Sequence, residues 1–501
     1  MLKRLLGFLA FWMTVSIVCA AEFQTGEAAR AVIGQPSFTA HETGVSAQSL
    51  SFSNGKLYVA DASGRVLTFD HIPPPGEDLP ERAGSPCAVC SFSPSATTSQ
   101  PVSLTAAQYS SFGNAVAMVD TRSHRVLLWR DVHSSQAAGG PDVILEADSD
   151  GGAIDNTTLI EPVSVALDGK RLFVGDRALR RILVWNTLPA GGDVGADAVL
   201  GQSSFVTLDS TITGPDHFAD PQALVSDGVN LFVADKGNRR ILVFSPGDLP
   251  LSEGSVVNSA NFKAGPLAPG TLITINGQHF SEVSESAPDD GEHPLPLKLA
   301  GVQVLLDGRK LPLLSVSPLQ IRSQLPYSFN GTESVYVRVE FSNGVVMTTN
   351  AVAVQATPAS PGIFAMSGSE PRSGMLLHAK EDAAGSGALV TSDDPAKPGE
   401  VLTVWATGLG SVSPLGSEET AEAGHPYSAS DSQTQIPVEA YLNGQSLPVL
   451  HAGLPQGTVG VYELRVLLPE SLPPGRTANL LISQAGVNSN TVTVPIESTI
   501  H

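Results

Sequence analysis

Fifteen lysines and arginines lie between residues 30 and 250, and nine of them fall in four short hairpins: Arg65, Arg122, Arg125, Arg177, Arg180, Arg181, Lys236, Arg239 and Arg240. Each hairpin also carries an aspartate, at Asp61, Asp120, Asp176 or Asp235. Two chemistries fit this pairing. An aspartate that begins a turn accepts backbone N–H bonds through its carboxylate. The arginine across the hairpin (Arg65, Arg125, Arg181 or Arg240) would then pair with it or cover a sheet edge. The other use is recognition, because clustered arginines bond carboxylate or phosphate groups in bidentate fashion. Arg180-Arg181 and Arg239-Arg240 are adjacent, and successive strand residues face opposite sides. One of each pair is expected to bond its aspartate. That leaves Arg177, Arg180, Lys236 and Arg239, with Arg122 from the second hairpin, as the candidate ligand-binding set.

The elements that must position these side chains repeat along the chain. "LYVADASGRVLTF", "VAMVDTRSHRVLLW", "LFVGDRALRRILVW" and "LFVADKGNRRILVF" place their aspartates 59, 56 and 59 residues apart. A period of this size is an internal array. An apolar strand precedes each hairpin, and three of these strands end in Asn54-Gly55, Asp168-Gly169 or Asp227-Gly228. Such dipeptides favour tight primed turns, which need positive φ at both central residues. After each hairpin comes a link and then a strand such as "PDVILEA" or "ADAVLGQSSF". Four antiparallel strands per period result, and the central ones are apolar throughout, as sheets covered on both faces are. Four-stranded sheets stacked radially are propeller blades. The last period stops after Phe244 without a fourth strand, whereas "ARAVIGQPSF" (Ala29 to Phe38) stands alone and matches "ADAVLGQSSF". The N-terminal strand is therefore expected to complete the last blade and close the ring.

The "VAD…G/N…R-[IV]-L-V-[FW]" pattern resembles NHL-repeat β-propellers over roughly residues 29–250, most closely in the third and fourth periods. NHL propellers usually have more blades than the four periods present, so the resemblance leaves the blade number open. The period count favours four.

From Gly254 the pattern changes to a duplication. "APGTLITINGQHF" is echoed by "KPGEVLTVWATGLG", and "VQVLLDGRKLPLL" by "VEAYLNGQSLPVL". Arg322 and Pro326 align with Arg465 and Pro469, and Asn350 with Asn490. The offsets are 129, 136, 143 and 140, so the order is kept while loops vary. Two copies of a unit of about 100 residues, built from short alternating strands, imply two Ig-like sandwiches. "LDG" and "LNG" then form hairpin turns and supply no catalytic acids. The stretches "VVNSANFKAGPLAPGTLITINGQHF", "PGIFA" and "VWATGLGSVSP" resemble an uncharacterised C-terminal domain of exported acidobacterial proteins, over roughly residues 254–497. The first copy also looks like an IPT/TIG-type immunoglobulin fold. That family implies no established chemistry.

The ends and the composition frame these readings. A chain of 501 residues suggests roughly three domains, and its 48 Gly and 37 Pro favour many short strands over helices. Residues 1–20 carry Lys3 and Arg4, an apolar run and a small-residue exit, the pattern of a signal peptide. Removing them takes the formal net charge from -21 to -23, which repels nucleic acid and anionic lipid. The mature chain keeps only Cys87 and Cys90, expected to form a local disulfide in an oxidising compartment. Nucleophile elbows, zinc helices and Walker loops are missing from the sequence. "DSDGGAIDN" could hold calcium through Asp148, Asp150 and Asp155, but Gly152 stands where a calcium loop needs an oxygen donor.

The expected fold is all-β: an N-terminal β-propeller at 29–250 (four blades favoured) and two C-terminal Ig-like β-sandwiches at 254–356 and 397–497. Residues 357–396 form a packed linker with short strands. The expected function is an exported, non-enzymatic binding or adhesion protein. It needs no metal or cofactor, and its partner is an acidic polysaccharide or a cell-surface protein. It binds no nucleic acid and has no transmembrane anchor once mature. Two rivals stay open: a lyase or lactonase-like enzyme in the propeller channel, and a purely structural envelope protein. The first would need metal-binding side chains on inner strands, where "VSVALD" and "ALVSD" are mostly small and apolar.

Overall fold

Every regular element that the computed structural model describes is a strand or a single 3-10 turn. It describes residues 21–497 apart from 36, 41–43, 63–65, 70–95, 98–108, 135–139, 147–152, 289–290, 380–386, 415–422 and 431. The signal-like segment, Arg65, Cys87 and Cys90 lie outside the described residues.

The first half begins with β1 (Ala31–Ile33), followed by β2 (Ala47–Ser53), β3 (Lys56–Asp61), β4 (Val66–Phe69) and β5 (Ala96–Thr97). The second period supplies β6 (Tyr109–Phe112), β7 (Ala115–Asp120), β8 (Arg125–Trp129) and β9 (Val143–Glu146). The third supplies β10 (Pro162–Leu167), β11 (Leu172–Asp176), β12 (Arg181–Trp185) and β13 (Ala198–Leu200). The fourth has three strands, β14 (Pro221–Ser226), β15 (Leu231–Asp235) and β16 (Arg240–Phe244). Each period is one antiparallel sheet in sequence order, and β1 completes the last as β1-β16-β15-β14. Its register sets Ala31 against Val243, Val32 against Leu242 and Ile33 against Ile241. The orphan strand pairs where the truncated repeat leaves an edge.

The first strands of the sheets carry the packing between them: β10 lies on β6 and β7, β14 on β10, and β2 on β14. Phe52 and Phe232 stack with ring centroids 5.9 Å apart, joining the first sheet to the fourth. In β11, β12, β15 and β16 every residue is buried, because both sheet faces are covered. The second sheet departs from that expectation. Its strands alternate, and Tyr109, Phe112 and Met118 stay 64%, 50% and 42% exposed. The described residues thus give a series of second, third, fourth and first sheets. The chain joining the first sheet to the second, at 70–95 and 98–108, lies outside them.

Turn chemistry also departs in part. Asn54 and Gly55 both have positive φ, 51° and 74°, and make the primed turn. After β10 and β14 the connection is longer and only Gly169 and Gly228 are left-handed, at 91° and 96°. The aspartate side chain accounts for the difference. Asp168 Oδ1 accepts the N–H groups of Lys170 and Arg171, and Asp227 Oδ1 those of Val229 and Asn230. A side-chain cap has replaced the two-residue turn.

In the second half, two pairs of sheets each enclose one core. The first joins Val256–Asn258, Leu272–Asn276, Gln320–Gln324, Leu313–Val316 and Glu285–Ser286, and faces the sheet built around Val302–Leu306 and Thr332–Glu340. The second repeats the order, with Val401–Thr407, Tyr462–Leu467 and Val449–Gly453 facing Val438–Leu442 and Thr477–Gln484. Duplication reaches single side chains. Asn350 accepts the Leu251 N–H and donates to its carbonyl, and Asn490 does the same with Ile363. Asp307 and Asn443 occupy left-handed turn positions and accept the N–H of Ser334 and Asn479, each at 2.7 Å. They are turn residues. Within 357–396, Gly362–Ile363 and Leu376–His378 pair with Val401–Thr407, so the described part of the segment adds strands to the second sandwich, and its Ile363, Leu376, Val390 and Ala396 join that core.

Candidate binding site

Four hairpins position the charged side chains, and the last shows their logic most fully. After β15 the chain makes one 3-10 turn, Lys236–Asn238, and passes through left-handed Arg239 before β16 begins. Asp235 Oδ1 accepts the N–H groups of Ala219 and Asp220, both at 3.0 Å. Its Oδ2 takes Arg240 Nε at 2.9 Å and Asn238 Nδ2 at 2.7 Å. Arg240 then donates to the His217 carbonyl at 2.8 Å and to the Phe38 carbonyl. Both side chains of this ion pair are fully buried. Burial draws the Arg240 guanidinium below its ordinary pKa, against the attraction of Asp235.

The third hairpin repeats the backbone ties but not the ion pair: Arg181 Nε is buried without a hydrogen-bond partner and its other two nitrogens go to carbonyls, so the bond expected between Arg181 and Asp176 does not form. Asp176 accepts the N–H groups of Ile160 and Glu161 at 2.8 and 3.0 Å, while Arg181 donates to the carbonyls of Thr158 and Phe205, both at 2.7 Å. Phe38 and Phe205 close the matching stretches "GQPSF" and "GQSSF". Their glutamines act alike as well: Gln35 donates to the carbonyls of Asn238 and Arg239, and Gln202 to that of Leu179. The aspartate therefore does more than begin its own turn. It holds the link leading into the first strand, and the arginine ties that link to the exit of the fourth. Asp61 shows the first half of this scheme, accepting the Ser46 N–H at 3.0 Å. Asp120 and Arg125 make an open version, with side chains 32% and 36% exposed.

The candidate ligand-binding residues divide. Arg177 is not spare: its Nε donates to Glu161 Oε2 at 3.1 Å, and this bond raises the arginine's pKa while lowering that of the glutamate. Arg180 and Arg239 are not strand residues, contrary to the alternation argument. They sit at φ 48° and 51°, the left-handed exits of their turns, and the strands start one residue later. This twist, rather than pleat alternation, separates each from its buried neighbour. Arg180 reaches the Ser210 carbonyl at 3.5 Å. Arg122 and Arg239 are exposed and Lys236 is half-buried. Among the described residues, the side chains of these three make no hydrogen bond or ion pair.

His217, whose carbonyl holds Arg240, lies between Asp216 at 2.9 Å and Asp209 at 3.5 Å. Burial lowers its pKa, but the bonds and charges of the two aspartates outweigh this, and the net shift is upward. A raised histidine stabilises the fold below its unfolded pKa of about 6.5, and that contribution is lost as pH rises through the folded value. His217→Gln should therefore lose more stability at acidic pH than at alkaline pH, measured by urea unfolding at the two. An equal loss at both would refute the assignment.

Asp155 bonds only within its own turn, to Thr157 and Thr158, while Asp148 and Asp150 lie outside the described residues. Among the described residues no three His, Cys, Asp or Glu side chains gather as metal ligands. No helix among them is long and apolar enough to cross a membrane. Sequence reasoning missed the cleft between the two sandwiches, lined by Phe364, Met375 and Trp405. Its signal was present as apolar residues beside core positions, at 364, 375 and 405.

No family model matches the chain, and no curated protein does. Among solved structures, it has a likeness to the fibronectin(III)-like modules of Clostridium thermocellum CbhA, 12% identical over 48% of this chain and 93% of that one, with a TM-score of 0.14. SGBP-B of the Bacteroides ovatus mixed-linkage glucan utilization locus, solved in complex with a mixed-linkage heptasaccharide, is 13% identical over 46% of this chain and 43% of its own, with a TM-score of 0.14. The BSP domain of a biofilm-associated protein is 10% identical over 49% of this chain and 30% of that one, at 0.18. Likenesses this slight carry no weight for ligand or partner. The chain is all-β.

Proposed function

We propose that this is an exported, non-enzymatic binding protein whose first half is a four-bladed, NHL-like propeller and whose second half is a pair of Ig-like sandwiches. Its ligand is an anionic polysaccharide met by the hairpin turns. The propeller reading is supported by four repeated sheets whose first strands pack together and by the N-terminal strand that completes the fourth. One observation carries the ligand class. Arg122, Lys236 and Arg239 project from equivalent turns without partners among the described residues, on a chain of formal charge -21. Cations left unpaired on an acidic protein suit carboxylate groups, with which arginine bonds bidentately.

Retention on a uronate-rich polymer should fall several-fold when Arg122 and Arg239 are both changed to Ser. It should also weaken with salt, since exposed charges are screened over about 10 Å at 0.1 M. A neutral polymer should retain neither protein. Equal retention of wild type and variant on the acidic polymer would end this reading.

A further inference from the structure

The outer faces of one sheet from each sandwich meet across a cleft of about 700 Å³. Side-chain alternation dictates what lines it. Ile363, Leu376, Val404 and Ala406 are buried in the core of the second sandwich, so their neighbours Phe364, Met375 and Trp405 face the other way. Backbone bonds hold these three side by side: the Phe364 N–H donates to the Trp405 carbonyl, and the Met375 N–H to that of Phe364, both at 2.9 Å. Across the cleft, Ile321 and Ser323 are buried and Arg322 between them is exposed. Phe262 closes one end, 46% exposed, with the Arg372 guanidinium 5.1 Å from its ring centroid.

Charge narrows the occupant. Among the described residues the cleft is lined by two arginines and no acidic side chain, in a chain holding 49 Asp and Glu. Arg372 is spent on Glu370 and the Ala260 carbonyl. Arg322 makes no side-chain hydrogen bond or ion pair among the described residues. Ser259, Ser315 and Thr458 also line the cleft; the Ser259 hydroxyl is tied to Thr274 and that of Thr458 to the Pro455 and Val461 carbonyls, whereas the Ser315 hydroxyl makes no such bond among the described residues. The stretches "VVNSANF", "PGIFA" and "VWATGLG", more than a hundred residues apart at their extremes, thus bring Phe262, Phe364 and Trp405 into one place.

We propose that this cleft is a second ligand site, taking a short saccharide that bears a carboxylate. Its volume falls in the range of about 300–1,000 Å³ typical of small-ligand pockets, with an apolar floor and few polar groups. The C–H face of a sugar ring lies on Trp405 and Phe364, a sugar hydroxyl meets Ser315, and the carboxylate pairs with Arg322. The site is separate from the hairpin turns, and neither needs the other.

Titration calorimetry of the full chain with trigalacturonate, and with a neutral trisaccharide of similar size, tests the proposal. The uronate should bind saturably and the neutral sugar should not. Arg322→Gln, a change at an exposed position, should weaken binding about tenfold, equivalent to roughly 1.4 kcal/mol. Trp405→Ala should weaken it at least as much, whereas Trp405→Phe keeps an aromatic floor and should retain most of it. The Arg122→Ser, Arg239→Ser double variant should bind trigalacturonate unchanged even where it loses the polymer. Absence of saturable binding, equal binding of the neutral sugar, or full affinity in Arg322→Gln would each overturn the proposal.

Discussion

Arg240→Ala is expected to destabilise the N-terminal half by on the order of 3–5 kcal/mol, the cost of removing one partner of a buried ion pair. Asp235 would lose its cationic partner where its side chain is wholly buried, and the carbonyls of Phe38 and His217 would lose their donor. Arg240→Lys should not restore stability, because a single ammonium cannot reach three acceptors in the fork geometry of a guanidinium. The matched control is Arg125→Ala. That pair is about one-third exposed, and its loss should cost about 0–1 kcal/mol. Urea unfolding followed at buried Trp185 measures both. Comparable losses at the two positions would show that the buried hairpin does not staple the sheet.

Deleting residues 22–38 should have the larger consequence, aggregation of the chain. The segment supplies β1, whose three residues are fully buried against β16. Burying a Val or Ile side chain contributes about 1.5–3 kcal/mol each. It also supplies Phe23, whose N–H donates to the Asn186 side-chain oxygen, whose carbonyl accepts from the Asn186 side-chain amide, and which packs edge-on to Phe173. Without it, β16 becomes a long apolar edge with unpaired N–H and C=O groups, a template for other chains. Size-exclusion chromatography should find the truncated protein in aggregates, and adding the 22–38 peptide in trans should reduce them. A monomer with an unaltered melting temperature would refute the role given to β1.

Much of this was legible in the sequence because repetition carries its own alignment. The missing fourth strand of the last period could be matched to "ARAVIGQPSF" without knowing either fold. Asn350 and Asn490 could likewise be paired by offset alone, although the shared backbone clamp could not. Two things were hidden. The aspartates reach outside their own turns, to Ile160 and Ala219, and such contacts depend on the twist of the whole sheet. Arg180 and Arg239 escape strand alternation because each is itself a left-handed residue that interrupts the pleat. The cleft at Trp405 was hidden differently. Trp405 lies in a strand, Phe364 just after one and Met375 just before another, and only the meeting of two sandwiches makes them a site.

The N-terminal strand also fixes a timetable. Ala31–Ile33 must wait for Ile241–Val243, and Ala28 pairs with Ala351 still later in the chain. Contacts this distant along the chain close slowly, since loop entropy is lost before they reward it. The segment synthesised early is therefore among the last to be seated, and until then the fourth sheet waits with an open side. A chain held unfolded until it has crossed a membrane would meet all its partners at once. One that began folding during synthesis would spend that interval exposed to aggregation.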